Sequence, residues 1–426
     1  MRAAIIGSGI AGLGCAWLLQ KQGHRVTLLE GNDYLGGHTH TVDVTLDGIT
    51  APVDTGFLVY NDRTYPRLIA LFDELGVRSS PSEMSFSVRD DAAGIEWSGA
   101  DLAGLVAQPA NALRPAFWRM VADILRFNRE ARSLVDRHGV PDLTLREYLA
   151  AARYSPSFRD WYLLPMAAAI WSSPRAAVLD FALPAFLGFC RRHGLLQLAD
   201  RPQWRTVVGG GRDYVRRIAA RLADVRLATP VRSVRRRAQA VEIATSHGSE
   251  HFDQVVLACH SDQALVLLAD PAPEETALLG RIRYRSNRVL LHTDRRLMPR
   301  RRRAWSAWNY LAADGDDERG VAVSYWLNRL QPLPFTTPVF VTLNPPFEPG
   351  PETRIAEFEY SHPLVKASAV TAQRRFAPLQ GQRRTWFAGA WLGHGFHEDG
   401  LASAHAVAEG FAAFWSPVEA AAELAA

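Results

Sequence analysis

Two glycine-rich stretches at opposite ends of the chain hold the residues best suited to chemistry. Near the C-terminus, Ala388–Ala406 reads AGAWLGHGFHEDGLASAHA and sets His394, His397, Glu398 and Asp399 among glycines, ahead of a run of small residues. Loop histidines and carboxylates can be tuned by burial to take or give a proton near neutral pH. His397 and Glu398 are therefore the first candidates for proton handling, with hydrogen bonding at a helix entry as the plainer alternative. Near the N-terminus, Gly7, Gly9 and Gly12 stand in GxGxxG spacing around Ser8, Ile10 and Ala11, and Glu30 ends a later apolar run. This set suits a dinucleotide: glycines that let backbone N–H groups reach a pyrophosphate, and an acid for ribose hydroxyls.

The elements that must position the first set are legible. Ala3–Ile6 is a short apolar strand, Ile10–Gln22 has helical apolar spacing, Gly23 ends it, and Val26–Leu29 is a second strand closed by Glu30 and Gly31. Gly7 permits the turn, Gly9 the close approach of an anion, and Gly12 the packing of helix on strand. The helix start offers N–H groups and the positive end of its dipole. The alternative is a glycine turn with no ligand, but strand, helix, second strand and acid are all in register.

The next residues, NDYLGGHTH from Asn32 to His40, place Gly36, Gly37, His38 and Thr39 just after the acid. Here the chain resembles the flavin amine oxidase superfamily, in which a Gly-Gly-Arg follows the same acid near the FAD phosphates and flavin. His38 takes the arginine's place, which argues against an ordinary amine oxidase. Thr385–Phe414 is similar to the piece of that superfamily that returns to cap the flavin: a buried strand, a glycine loop and a helix from about Leu401. The resemblance implies FAD as cofactor, with Gly389 and Ala390 beside the pyrophosphate and ribityl chain, and Gly400, Leu401 and Ala402 facing the pyrimidine edge. It also places Gly56 near the ring and Val231 near adenine. The run Gly209–Gly211 is a candidate second nucleotide loop but lacks an acid-bearing strand after it. No metal is expected, since no carboxylate cluster accompanies His38 and His40.

The implied fold is α/β: a Rossmann-like FAD domain assembled from residues 1–80, 200–280 and 380–426, and an α+β substrate domain from 81–199 and 281–379, as in amine oxidases and phytoene desaturases. Phe57, Tyr60 and Asn61 follow Gly56 and are candidates to line the cavity, Tyr60 and Asn61 with catalytic roles. Arg114–Arg137 has the spacing of an amphipathic helix facing the core, with a membrane surface as the alternative. Tyr162–Ser173 reads as an apolar wall containing Trp171, and residues 281–379 read as an antiparallel sheet whose Trp308, Tyr325, Trp326 and Asn328 are cavity candidates, although core packing would also account for them.

Of the bulk properties, charge says most. Lys and Arg number 48 against 44 Asp and Glu, and the lysines are only Lys21 and Lys366. The runs Arg235–Arg237 and Arg300–Arg303 read as solvated loops or as contacts to anionic lipid headgroups. No nucleic-acid module accompanies them, so no nucleic-acid partner is expected. Cys15, Cys190 and Cys259 are too scattered for a metal site or a disulfide framework, which fits a reducing cytoplasm. No signal peptide or membrane span is expected. VDTGFLVYND, LLPMAAAIWSS, VLLHTDRRLMP, SYWLNRLQ and GFHEDGL resemble a narrower group, bacterial FAD proteins associated with cyclopropane-fatty-acid-synthase-like methyltransferases. That resemblance implies oxidation of methylated unsaturated fatty-acyl chains of phospholipids, as in the desaturation towards furan fatty acids. It also implies oxygen or a quinone as acceptor, peripheral contact with the inner face of the membrane, and a lipid methyltransferase as a partner. Amine or carotenoid oxidation, or a non-catalytic flavoprotein subunit, are the competing readings.

Overall fold

The computed structural model describes residues 1–197, 199–312, 321–364 and 367–423; Lys366 lies outside them. A five-stranded parallel sheet runs in the order Asp224–Arg226, Arg25–Leu29, Arg2–Ile6, Gln254–Leu257, Thr385–Phe387. Its strands come from three separate stretches of chain, in register Ala3 to Val26 on one side and Ala3 to Gln254 on the other. Arg2–Ile6 and Gln254–Leu257 are short and apolar because both of their faces are covered, as parallel strands require.

Two helices pack on this sheet side by side, Ile10–Lys21 and His397–Glu423. Their contacts rise together in number. A Cβ on Gly400 would sit 2.8 Å from Ile10, and one on Gly14 would sit 2.8 Å from Leu401 and 3.0 Å from Ala404. Further on, the Gln22 amide donates to the Ala408 carbonyl at 3.1 Å and His24 meets Phe411. The helices therefore run parallel, with both starts at the same end of the sheet. The second begins at His397 rather than at Leu401. Glu398 and Asp399 in its first turn favour that earlier start, because carboxylates stabilise a helix N-terminus.

The second layer is a seven-stranded sheet, in the order Arg354–Pro363, Tyr284–His292, Phe340–Leu343, Ala322–Trp326, Trp308–Ala312, Phe86–Asp90, Ile95–Ser98. The expectation of a purely antiparallel sheet within 281–379 needs correction. Trp308–Ala312 pairs in parallel with Phe86–Asp90, so the sheet recruits a hairpin from the first half of the chain. Helices from Leu102 to Arg192 cover it. Pro115–Asp136 buries Phe117, Met120, Phe127 and Ala131 at the expected spacing. A π-turn, Arg159–Leu163, leads into Leu164–Trp171, and Ser172 ends that helix in the left-handed region at φ 48°.

The close approach at Gly14 yields a test. Gly14→Val places two methyl groups where Leu401 and Ala404 already sit, and overpacking of this kind costs about 1–3 kcal/mol. Chemical denaturation should show that loss. An unchanged midpoint would contradict the packing described.

Candidate functional site

A cavity of about 960 Å³ opens between the two sheets and is lined by both glycine-rich stretches. The first supplies the cofactor end. Gly7 turns at φ +102°, where a Cβ would meet the Ala258 carbonyl oxygen at 2.9 Å, and a Cβ on Gly12 would lie 1.8 Å from the Gly7 oxygen. Gly9, by contrast, has nothing within 4 Å of where its Cβ would be. The helix that follows has no side-chain cap at Gly9 and no acid in its first turn. Its orphan N–H groups thus face a cradle that a side chain would fill, which is what an external anion needs. Glu30 is aimed beside it: its carboxylate accepts from Ser8 N at 2.9 Å, Ser8 Oγ at 2.6 Å and Asn32 N at 2.9 Å. Gly31, Gly36, Gly37, Gly56, Val231, Gly389 and Ala390 also line the cavity. These residues fit an adenine dinucleotide along its length.

The run Gly209–Gly211 does something else. Gly211 N donates to Asp54 at 2.9 Å and Arg212 N to Thr41 Oγ1 at 3.0 Å, while Gln331 Nε2 donates to Asp54 at 2.6 Å. The protein's own carboxylate fills this helix start, so it is not a second nucleotide loop. Burial raises Asp54 to about 6 despite these donors.

Gly400, Leu401 and Ala402 do not line the cavity. Gly400 and Leu401 seal the contact with the first helix instead, and the Ser403 hydroxyl ties Gly389 N to the Gly400 carbonyl. The backbone that reaches the cavity is His394–His397, one turn earlier. Its acids are already in use. Asp399 accepts from Phe396 N at 2.9 Å, and Glu398 accepts from Arg67 N at 3.0 Å and Leu68 N at 3.1 Å. Glu398 therefore caps the helix Pro66–Leu75 and is not placed for proton transfer in the cavity.

His397 does reach the lining. It stacks on Phe57 with centroids 3.7 Å apart, and its Nε2 meets Thr39 Oγ1 at 2.9 Å and the Tyr214 hydroxyl at 3.2 Å. Burial lowers its pKa to about 3. Thr39 is buried behind His397 rather than on the cavity surface.

Four other candidates point elsewhere. Tyr60 packs in the core against Phe72, and its strand pairs with Arg205. Asn61 accepts from Arg63 N at 3.0 Å and Thr64 N at 2.9 Å, shaping the turn into the next helix. Trp326 packs against Trp305 and the Arg302 guanidinium, and Asn328 holds Val339 N at 2.7 Å. Phe57, Trp171, Trp308 and Tyr325 are on the cavity wall.

The sequence reading missed a histidine cluster. His38 is 5.3 Å from His362, 6.0 Å from His260 and 5.2 Å from Tyr360, ring centre to ring centre. His260 stands just past the buried strand Gln254–Leu257, at the carboxyl end where α/β sheets bind ligands, which was the available signal. Burial, then His362, His260 and His397, hold the His38 pKa well below the ordinary histidine value, while burial takes His362 to about 4. These histidines are thus neutral near pH 7. A ring nitrogen of His38 donates to the Ser361 carbonyl, and its Nε2 is buried without a partner. With the Ser361 carbonyl accepting from Nδ1, Nε2 carries the lone pair and is itself buried. Among the described residues that line the cavity there is no lysine or arginine.

Three outcomes follow from this geometry. Glu30→Gln should weaken FAD binding roughly 10–100-fold in a fluorescence titration, the scale of a lost charged hydrogen bond; unchanged affinity would contradict the ribose role. Glu398→Ala should cost about 1 kcal/mol of stability, as cap removal does, and leave FAD affinity at the wild-type value. Asp54 is raised in the fold, so its contribution to stability is full below the ordinary carboxylate range and is lost as pH rises through about 6. Asp54→Asn should flatten that part of a Tm–pH profile, and a profile superimposable on the wild type would contradict the assignment.

Comparison with known proteins agrees with this geometry. The model of the family described as flavin containing amine oxidoreductase matches residues 10–338. A Mycobacterium tuberculosis protein named as a flavin-containing monoamine oxidase is 27% identical over 287 residues, 63% of this chain and 58% of that protein, so the match spans under two thirds of the relative's own length. A 1-hydroxycarotenoid 3,4-desaturase of Flavobacterium is 51% identical over 43 residues, 10% of this chain and 9% of that protein. Among solved structures, a fatty acid isomerase from P. acnes superposes with TM-score 0.67 at 16% identity, covering 96% of this chain and 98% of the other, a likeness of fold. The chain belongs to the flavin-containing amine oxidoreductase family, and the dinucleotide its cradle is shaped for is FAD.

Proposed function

We propose that the protein is an FAD-dependent desaturase that oxidises methylated unsaturated fatty-acyl chains of phospholipids, as in the desaturation towards furan fatty acids. The observation that carries this reading is the character of the cavity beyond the cofactor cradle. Ile170, Trp171, Trp308, Tyr325 and Leu343 give it aromatic and aliphatic walls, and its histidines are uncharged. Against these walls an apolar chain is bound without desolvating a histidinium, and water is kept from the reacting carbons.

FAD held by Gly7–Gly12 and Glu30 would supply a two-electron acceptor for an allylic hydride, while loss of a proton from the neighbouring carbon would complete a conjugated diene, and oxygen or a quinone would take the electrons on. The protein's part is to hold the chain straight against the aromatic wall and to receive the proton. His38, on the cavity lining and with an Nε2 that has no partner among the described residues, is the base proposed here in place of Glu398. His397 is held by Thr39 and Tyr214 and serves to position Phe57. A lipid methyltransferase remains the proposed protein partner.

Amine oxidation is the second reading. Asp262 and Glu359, carboxylates on the lining besides Glu30, are the feature that favours it. Anaerobic mixing separates the two. Methylated monounsaturated phospholipid should bleach the flavin absorbance and yield diene, whereas bleaching by a primary amine with the lipid left intact would overturn the proposal. Turnover by the isolated chain excludes a purely structural flavoprotein. His38→Gln should retain FAD affinity, lower the bleaching rate by about 10²–10⁴-fold, the usual scale for a lost general base, and remove its pH dependence.

A further inference from the structure

The first helical segment of the substrate domain carries an unusual surface. Between Leu102 and Leu125, every exposed residue except Arg119 is apolar. Leu102 is 83% exposed, Leu113 87%, Leu125 49% and Trp118 46%, with Val106 also in the open. A soluble surface scatters such residues singly; a contiguous stretch of them marks a surface that is covered. Their placement is fixed, not frayed. Asp101 caps the short helix Leu102–Leu105 by accepting from Gly104 N at 2.6 Å, and Trp118 Nε1 donates to the Ala112 carbonyl at 2.9 Å. Arg114 donates to the Gly94 carbonyl at 2.8 Å, tying the same segment to the turn of the hairpin Phe86–Ser98.

The charges around this surface are mostly arginines; Asp101, exposed beside Leu102, is used as the cap of Leu102–Leu105. The turn Arg302–Ala304 packs directly on Leu102–Leu105. Arg302 lies over the rings of Trp305 and Trp326 at 3.8 and 4.3 Å, and Arg295 and Arg329 act on it as like charges. Arg302 and Arg303 form no ion pair among the described residues. The nearby acids are committed: Asp91 to Arg89 and Arg300, and Glu96 to Arg301. Arginines with no ion pair among the described residues, beside exposed leucines and one half-exposed tryptophan, match a bilayer interface, where apolar side chains enter the acyl region and cations meet headgroup phosphates. Among the described residues no helix is long and apolar enough to cross a membrane, so any contact made here lies on the surface of the bilayer.

We infer that the face formed by Leu102–Leu125 and the Arg302–Arg303 turn docks on the surface of a membrane containing anionic lipid. This assignment rests on exposure and charge and stands apart from the reading of the reaction.

The test uses the full-length FAD-loaded chain and vesicles of phosphatidylcholine with or without phosphatidylglycerol. The wild type should co-sediment with the anionic vesicles, and its tryptophan emission should shift to the blue on binding by more than that of Trp118→Phe. The double variant Leu102→Ser, Leu113→Ser should bind at least about tenfold more weakly, and Arg302→Gln, Arg303→Gln about fivefold more weakly per arginine and only with anionic vesicles. Both should keep wild-type turnover on detergent-dispersed substrate, so failure of docking and failure of the proposed reaction are told apart. Wild-type protein that ignores anionic vesicles, or a leucine variant that binds them as tightly as the wild type, would overturn the inference. So would a leucine variant that dissociates a dimer in ultracentrifugation while its vesicle binding is unchanged, because the face would then be a protein interface.

Discussion

The uncapped start of the helix Ile10–Lys21 is the constraint from which the site follows. Orphan N–H groups at a helix start need partners, and this helix has neither a capping side chain nor an acid in its first turn. Two other helix starts near the cavity are served from within the protein, Asp54 at the turn after Gly211 and Glu398 at Pro66–Leu75, and the C-terminal helix carries Glu398 and Asp399 in its own first turn. The positive end of Ile10–Lys21 is left for an outside anion, and Gly9 keeps its approach open. The long return of the chain is explained on the same basis. Gly14 and Gly400 let the last helix lie parallel to the first at contact distance, which brings the loop Gly389–His397 to the same cavity as Gly7–Gly12.

The cavity changes character along its length. At the adenosine end, Glu30 is held by three donors and is ready to accept ribose hydroxyls. At the other end the lining is aromatic, and its histidines are kept neutral by burial. His38 stands where the resemblance read from the sequence implies an arginine, and a histidine there does more than remove a charge. An arginine only donates, whereas a histidine whose Nδ1 is bound to the Ser361 carbonyl presents an acceptor. A site that presents an acceptor among aromatic rings is suited to receiving a proton from carbon more than to gripping an anion.

The parts legible in sequence are those whose partners are near in the chain. The strand–turn–helix–strand unit with Glu30 is local, and so is the helix Pro115–Asp136, whose buried residues fall at its own spacing. What the sequence did not reveal depends on distant partners. Glu398 could be read as a catalytic acid because the two N–H groups that occupy it belong to Arg67 and Leu68. Asn328 and Trp326 are held by Val339 and Arg302, and the strands Phe86–Asp90 and Ile95–Ser98 are too short and too charged to announce themselves before they pair with Trp308–Ala312. The apolar face from Leu102 to Leu125 escaped for the opposite reason. Its residue types look like core, and only their exposure in the fold separates them from it.

The most direct measurement is an experimental structure of the FAD-loaded protein. The account predicts the pyrophosphate against the backbone N–H groups at Ile10 and Ala11, the ribose hydroxyls on Glu30, and the flavin ring between the Gly389–His397 loop and His38. A pyrophosphate bound at the Gly209–Gly211 turn, or a flavin ring that does not enter the cavity, would contradict it.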